Sequence, residues 1–70
     1  MTDNLMKEFV TTADYGSRKF EIKYGGEGIG FYLFVFEGGK NTYDYLQDSV
    51  EQTKKFAFEK FGVPLEAWQP

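Results

Sequence analysis

Apolar and charged residues alternate along the segment RKFEIKY, residues 18–24, with Phe20, Ile22 and Tyr24 at every second position. A period of two is typical of a β-strand that has one buried face and one face in water. Upstream, the segment MKEFVTT, residues 6–12, is partly apolar and rich in β-branched residues near its end. This composition favours another strand, so the N-terminal part of the chain predicts two neighbouring strands.

Glycine-containing segments mark the turns between strands. Residues 13–17 (ADYGS) have the residue types of a tight turn, and residues 25–28 (GGEG) predict a hairpin loop. Residues 29–37 (IGFYLFVFE) form a short and almost continuous apolar run, which favours a central strand over a helix. Residues 38–41 (GGKN) predict another turn, and residues 42–46 (TYDYL) predict a short last strand.

A helix is predicted after these strands. Ser49 stands at the N-cap, and Gln52 follows at the spacing of a capping box. Gly62 stands where a C-cap glycine belongs, and Pro64 prevents the helix from continuing. The signals for both ends therefore bound one helix of about three turns.

The predicted helix has one apolar stripe, formed at spacings of three and four by Val50, Thr53, Ala57 and Phe61. Phe58 flanks this stripe, and Phe56 lies on the other side. The tail carries Leu65 and Trp68 and is expected to fold back over the edge of the core. We therefore predict an α+β fold as a single domain over residues 1–70. A three- or four-stranded antiparallel β-meander packs on one C-terminal α-helix in two layers.

Composition narrows the functional classes. The chain has 70 residues, no Cys and a net charge of −3, with acidic and basic residues interspersed. The absence of Cys favours a cytoplasmic protein, and the interspersed charges argue against a nucleic-acid surface. No apolar run approaches the length of about 20 residues that spans a bilayer, so no membrane is expected. Eight Phe, five Tyr and one Trp let a small domain build a core from few side chains.

Candidate catalytic chemistry is sparse. The chain has neither His nor Cys, so an imidazole base and a thiolate nucleophile are both missing. Asp44 and Asp48 form a carboxylate pair of the kind that does acid/base work or holds a cation, but solvated loop and cap residues are the simpler interpretation. The glycines of residues 25–30 match neither G-x-G-x-x-G nor a P-loop. We expect no enzyme, no metal and no cofactor.

Residues 28–34 (GIGFYLF) resemble the aromatic signature strand of RNA-recognition motifs. The matching residues are Gly28, Gly30, Phe31 and Phe34. However, Glu27 replaces a basic residue and Ile29 replaces an aromatic one. Single-stranded RNA binding through the central strand therefore stays as an alternative, as does a small-ligand-binding module.

The central strand presents aromatics on two sides. One side carries Ile29, Phe31, Leu33 and Val35, and the other carries Tyr32, Phe34 and Phe36. A single helix covers only one of these sides, and uncovered aromatic stripes usually mark partner surfaces. The candidate partner-binding residues are Tyr32, Phe34 and Phe36, with Trp68 at the rim. The alternative is that the ends of the chain cover the stripe.

Residues 44–64 resemble the C-terminal ending of a group of short, uncharacterised bacterial proteins with the pattern D-x-x-x-x-[ST]-[LV]-E-x-x-K…F-G-V-P. The matching residues are Asp44, Ser49, Glu51, Lys54, Phe61, Gly62, Val63, Pro64 and Trp68. More distantly, the layout of residues 19–62 resembles the sheet-plus-helix half of HicB-type antitoxins. The resemblance implies a bacterial module that docks on a protein partner or forms a homodimer, in an antitoxin-like, immunity-like or phage-inhibitor role.

Overall fold

A computed structural model describes residues 8–70 of the chain. Four antiparallel strands follow one another in sequence order across a single sheet, and one α-helix packs on it, which confirms the predicted α+β class. Within residues 8–70, no helix combines the length and the apolar character needed to cross a bilayer. The elements are β1 (Glu8–Tyr15), β2 (Arg18–Gly26), β3 (Gly30–Glu37), β4 (Lys40–Gln47), α1 (Val50–Phe61) and a 3₁₀ turn at Leu65–Ala67.

The first hairpin turn is shorter than the sequence predicts. β1 extends through residues 13–15, so Gly16 and Ser17 alone form the turn. Gly16 has φ +66° at the first central position, where a type II′ turn requires glycine. Residues 6 and 7 of the predicted first strand lie outside the described residues.

The turns of the other two hairpins also have fewer residues than the sequence predicts. Lys40 and Asn41 belong to β4 and not to a turn, because Gly38 and Gly39 complete a two-residue turn alone. Their φ values of +60° and +84° are those of a type I′ turn. The predicted hairpin loop between β2 and β3 is present, but it consists of residues 27–29 rather than 25–28, because Gly25 and Gly26 belong to β2 and Ile29 lies in the turn.

The side of the sheet that faces α1 holds the core. Phe20 on β2 pairs with Val35 on β3, and Ile22 pairs with Leu33. All four are fully buried, as the alternation predicts. The expectation that Ile29 shares this side is wrong, because it lies in the turn before β3 and is 48% exposed. The remaining buried apolar residues are Ala13, Ala57, Val63 and Trp68.

Both predicted helix ends are confirmed. The backbone N–H of Gln52 donates to Ser49 Oγ at 3.0 Å, and the Thr53 hydroxyl donates to the Ser49 carbonyl at 2.7 Å. At the other end, Gly62 is left-handed with φ +81°, and its N–H donates to the Phe58 carbonyl at 2.9 Å. The bonds of the Gln52 N–H and to the Phe58 carbonyl satisfy backbone groups that a helix otherwise leaves without partners.

The helix stripe is only partly as predicted. Thr53 and Ala57 are buried, and the Phe61 ring lies 5.4 Å from that of Phe20. The placement of Phe56 and Phe58 is wrong, since Phe56 packs against the sheet and Phe58 faces solvent. The reason is that α1 crosses β3 and β4, where a tyrosine of β4 covers Phe56.

The tail folds back over the edge of the core, as expected. Trp68 forms a bridge with Ala13 on β1, and its indole packs edge-on against Phe20 with ring centroids 6.4 Å apart. The Gln69 N–H donates to the Thr12 carbonyl at 2.8 Å. The tail therefore occupies the outer edge of β1 and the helix-facing side of the sheet.

Candidate functional site

The candidate site is the sheet surface opposite α1, which we call the open face. Within residues 8–70, the helix and the tail both pack on the other side of the sheet. Strand pairing arranges the side chains of the open face in three rows across β1 to β4. The rows are Phe9–Lys23–Tyr32–Leu46, Thr12–Glu21–Phe34–Asp44 and Asp14–Lys19–Phe36–Asn41.

The column along β3 is aromatic. The rings of Tyr32 and Phe34 stack with centroids 5.7 Å apart and planes 19° apart, and Phe36 continues the column towards the hairpin turn. All three side chains are half-buried. A Cβ at Gly25 would lie 2.6 Å from the Tyr32 ring, so the glycine makes room for that ring to extend over β2. The column is thus a continuous apolar surface that keeps contact with solvent.

The column along β2 is charged. Glu21 lies between two lysines, with carboxylate oxygens 4.0 Å from Lys19 Nζ and 3.6 Å from Lys23 Nζ. Lys23 Nζ also stands 5.8 Å from the centroid of the Phe34 ring, within cation–π range. The aliphatic stems of the lysines therefore border the aromatic column while their charges stay in water.

The column along β4 is mixed. Asp44 lies directly opposite Phe34, and Leu46, which is 50% exposed, lies opposite Tyr32. The aromatic column is consequently bordered on the β2 side by residues with a net positive charge. On the β4 side it is bordered by one negative charge, Asp44, and one apolar residue, Leu46. The open face therefore has an apolar centre and a polar rim, a composition that protein interfaces share.

Three of the four predicted partner-binding residues come together on the open face, and Trp68 does not. The Trp68 side chain is 7% exposed and belongs to the core on the opposite side of the sheet. The prediction that Trp68 lies at the rim of the partner-binding surface is therefore wrong. The left-handed Gly62 and the following Pro64 redirect the chain along β1, so the indole reaches Phe20.

Sequence reasoning missed the residues that border the stripe. The period-two pattern of residues 18–24 already put Lys19, Glu21 and Lys23 on one side of a strand. That they flank Phe34 and Phe36 follows from the pairing register, which the pattern alone does not contain.

The remaining candidates lie apart from one another. Asp44 is on the open face, whereas Asp48 precedes the N-cap of α1. In the part of the chain that the structure describes, no three His, Cys, Asp or Glu side chains gather in a way that could hold a metal ion. Phe31 of the RNA-recognition-like pattern faces the helix side, where its ring lies 5.2 Å from that of Tyr24.

Comparison of the chain with protein-family models, with curated proteins and with solved structures finds no match. The resemblances to short bacterial proteins and to HicB-type antitoxins stay predictions.

Proposed function

We propose that this chain is a non-catalytic, cytoplasmic protein-binding module that docks a protein partner on the open face. The observation that carries the proposal is the aromatic column of Tyr32, Phe34 and Phe36, half-buried in the middle of a sheet face. Tyr and Phe are enriched in the cores of protein interfaces, where truncating a few of them removes most of the binding energy. An antitoxin-like, immunity-like or phage-inhibitor role fits such a surface.

The charged residues on either side of the aromatic column determine the orientation in which a partner binds. A partner that covers Phe34 also meets Lys19, Glu21 and Lys23, with a net positive charge, on one side and Asp44 on the other. Rim charges of opposite sign on two sides favour one orientation of the partner over its reverse, because the reversed complex brings like charges together. Specificity then comes from the rim, and affinity comes from the aromatic column.

The test compares Phe34→Ser with Phe58→Ser. Both remove a phenyl ring that contacts solvent, but Phe58 lies on the outer surface of α1. The tagged protein and both variants are used to recover partners from cells that express the chain naturally, and each recovered partner is then titrated in purified form. We expect Phe34→Ser to weaken binding by at least about tenfold, and Phe58→Ser to leave it unchanged.

Folding has to be checked alongside binding. Phe34→Ser is expected to cost about 1–2 kcal/mol of unfolding free energy, because the ring is only half-buried. Circular dichroism therefore has to show a folded variant. If folded Phe34→Ser binds every partner as tightly as the original chain, the open face is not the docking surface.

A second candidate function is the binding of single-stranded nucleic acid, which is favoured by the position of Lys23 above the Phe34 ring. Bases stack on aromatic side chains, and neighbouring lysines neutralise phosphates. Titration with a uridine oligomer at several salt concentrations distinguishes the two. The protein-binding proposal expects no binding, whereas an affinity that falls steeply with salt would favour the nucleic-acid function.

A further inference from the structure

A second apolar surface lies on the other side of the molecule, between α1 and the tail. It is a groove with a volume of about 700 Å³. Phe58 lies on the helix wall of the groove, and Pro64 and Leu65 form the tail wall. Phe58 is 55% exposed and Leu65 is 63% exposed. Two large apolar side chains thus meet water within one concave surface.

The end of α1 builds this groove. The Gly62 N–H donates to the Phe58 carbonyl at 2.9 Å, and the Val63 N–H donates to the Ala57 carbonyl at 3.3 Å. The first bond is that of the αL motif, in which the left-handed residue after a helix donates to the carbonyl four residues back, and the second bond also returns the chain beside the helix it has just left. Pro64 and Leu65 are thereby held opposite Phe58 by backbone bonds rather than by a flexible loop.

The two walls carry opposite charge. The helix wall has Lys54 and Lys55 against one carboxylate, Glu51, and the tail wall has Glu66. The ion pairs within residues 8–70 lie on the sheet, and none of them uses a groove residue. Each wall of the groove therefore combines apolar side chains with charge, which is net positive on the helix wall and negative on the tail wall.

We propose that the groove binds a second copy of this chain about a twofold axis that runs along the groove. Rotation about such an axis places the helix wall of each copy over the tail wall of the other. Phe58 then packs against Leu65 of the second copy, and Lys54 and Lys55 face its Glu66. Each contact occurs twice, so the same complex buries both apolar residues and pairs both charged walls with walls of opposite charge.

A second copy fits this groove better than a partner of uniform charge. A uniformly acidic or basic partner would meet repulsion along one wall, whereas the twofold copy offers the complementary wall on both sides. The self-association is weak and concentration-dependent, because one groove contributes less than the roughly 800 Å² per partner of a standard stable interface. The open face stays accessible in the dimer, since it lies on the opposite side of the sheet.

Sedimentation velocity over a concentration series tests the contact. We expect a monomer–dimer equilibrium for the original chain and at least about tenfold weaker dimerisation for Phe58→Ser. Phe34→Ser is the matched control, and its dimerisation is expected to be unchanged. A chain that stays monomeric throughout, or equal weakening by both substitutions, would overturn the proposal.

Charge reversal gives a sharper test of the two walls. Lys54→Glu/Lys55→Glu makes both walls acidic, and Glu66→Lys makes both walls basic, so each variant alone is expected to dimerise at least about tenfold less. Mixed together, the two variants present opposite walls and are expected to form a heterodimer whose stability falls as salt rises. Absence of the heterodimer would overturn the proposed orientation. These results are independent of partner capture by the open face.

Discussion

Replacing Trp68 with alanine is expected to remove a large part of the stability of the fold. The indole is 7% exposed and packs edge-on against Phe20, with centroids 6.4 Å apart. Truncating a buried Trp or Phe to Ala costs about 3–5 kcal/mol, because contacts are lost and a cavity is left. A 70-residue domain has a total unfolding free energy of about 4–10 kcal/mol. The variant should therefore be marginally folded at room temperature.

Replacing Trp68 with phenylalanine is expected to be nearly neutral. The indole Nε1 is buried and has no hydrogen-bond partner among residues 8–70. A buried donor without a partner costs about 1–3 kcal/mol. Phenylalanine removes that donor while it keeps an aromatic ring against Phe20, so the smaller contact area is offset. We expect the unfolding free energy to change by no more than about 1 kcal/mol.

Urea unfolding followed by far-UV circular dichroism measures the change in unfolding free energy of both variants. Tryptophan fluorescence cannot be used, because each variant lacks the single Trp of the chain. Each kcal/mol shifts the melting temperature of a domain this small by about 4–8 °C, so Trp68→Ala should melt at least about 12 °C lower. A loss below about 1 kcal/mol for Trp68→Ala would show that the tail does not complete the core. Equal losses for both variants would show that Nε1 has a partner in solution.

Two further predictions concern the backbone. Ser49→Ala should lower the unfolding free energy by about 1 kcal/mol, because the Gln52 N–H loses its acceptor, and Ser49→Asp should restore it; urea unfolding checks both. Gly30→Ala should cost at least about 2 kcal/mol, because Gly30 has φ +117° and a Cβ there would collide with the Gln47 carbonyl oxygen. Gly28→Ala is its control, with a left-handed φ but open space around the Cβ, and a melting temperature that falls as far for Gly28→Ala as for Gly30→Ala would contradict this explanation.

Local patterns predict most of the elements of this fold. Period-two alternation locates β2, and glycines with positive φ locate the turns at Gly16 and at residues 38–39. Ser49 and Gly62 locate both ends of α1. These signals act within a few residues of the chain, so they do not depend on what the element packs against. The strands differ from prediction mainly at their ends, because two-residue turns leave more residues to the strands than longer loops do.

The side chains whose burial depends on how the elements pack together are the ones whose positions the sequence analysis predicts wrongly. Phe56 and Phe58 are two residues apart on α1, and the apolar stripe of the helix does not decide which of them is covered. The path of α1 over β4 decides it, since Tyr45 lies 4.6 Å from the Phe56 ring. Trp68 is misplaced for the same reason, because its burial depends on the direction that the chain takes after Gly62.

The composition of the open face depends on one irregularity in β4. The two-residue turn places Asn41 opposite Phe36, and an uninterrupted ladder would then place Tyr43 opposite Phe34 on the open face. The pairing instead shifts by one residue around Thr42, whose hydroxyl donates to the Val35 carbonyl at 3.3 Å.

The shift exchanges the two sides of β4. It moves Tyr43 and Tyr45 to the helix side, where both rings lie within about 6 Å of Phe61 or Phe56. It moves Asp44 and Leu46 to the open face. A regular β4 would place Tyr43 and Tyr45 beside the β3 column in place of Asp44 and Leu46, and a wider exposed apolar surface next to an edge strand favours aggregation. The bulge thus places both tyrosines on the helix side, with Tyr45 packed against the core, and leaves the open face with a charged border. This border is consistent with the proposed selective docking and disfavours nonspecific association.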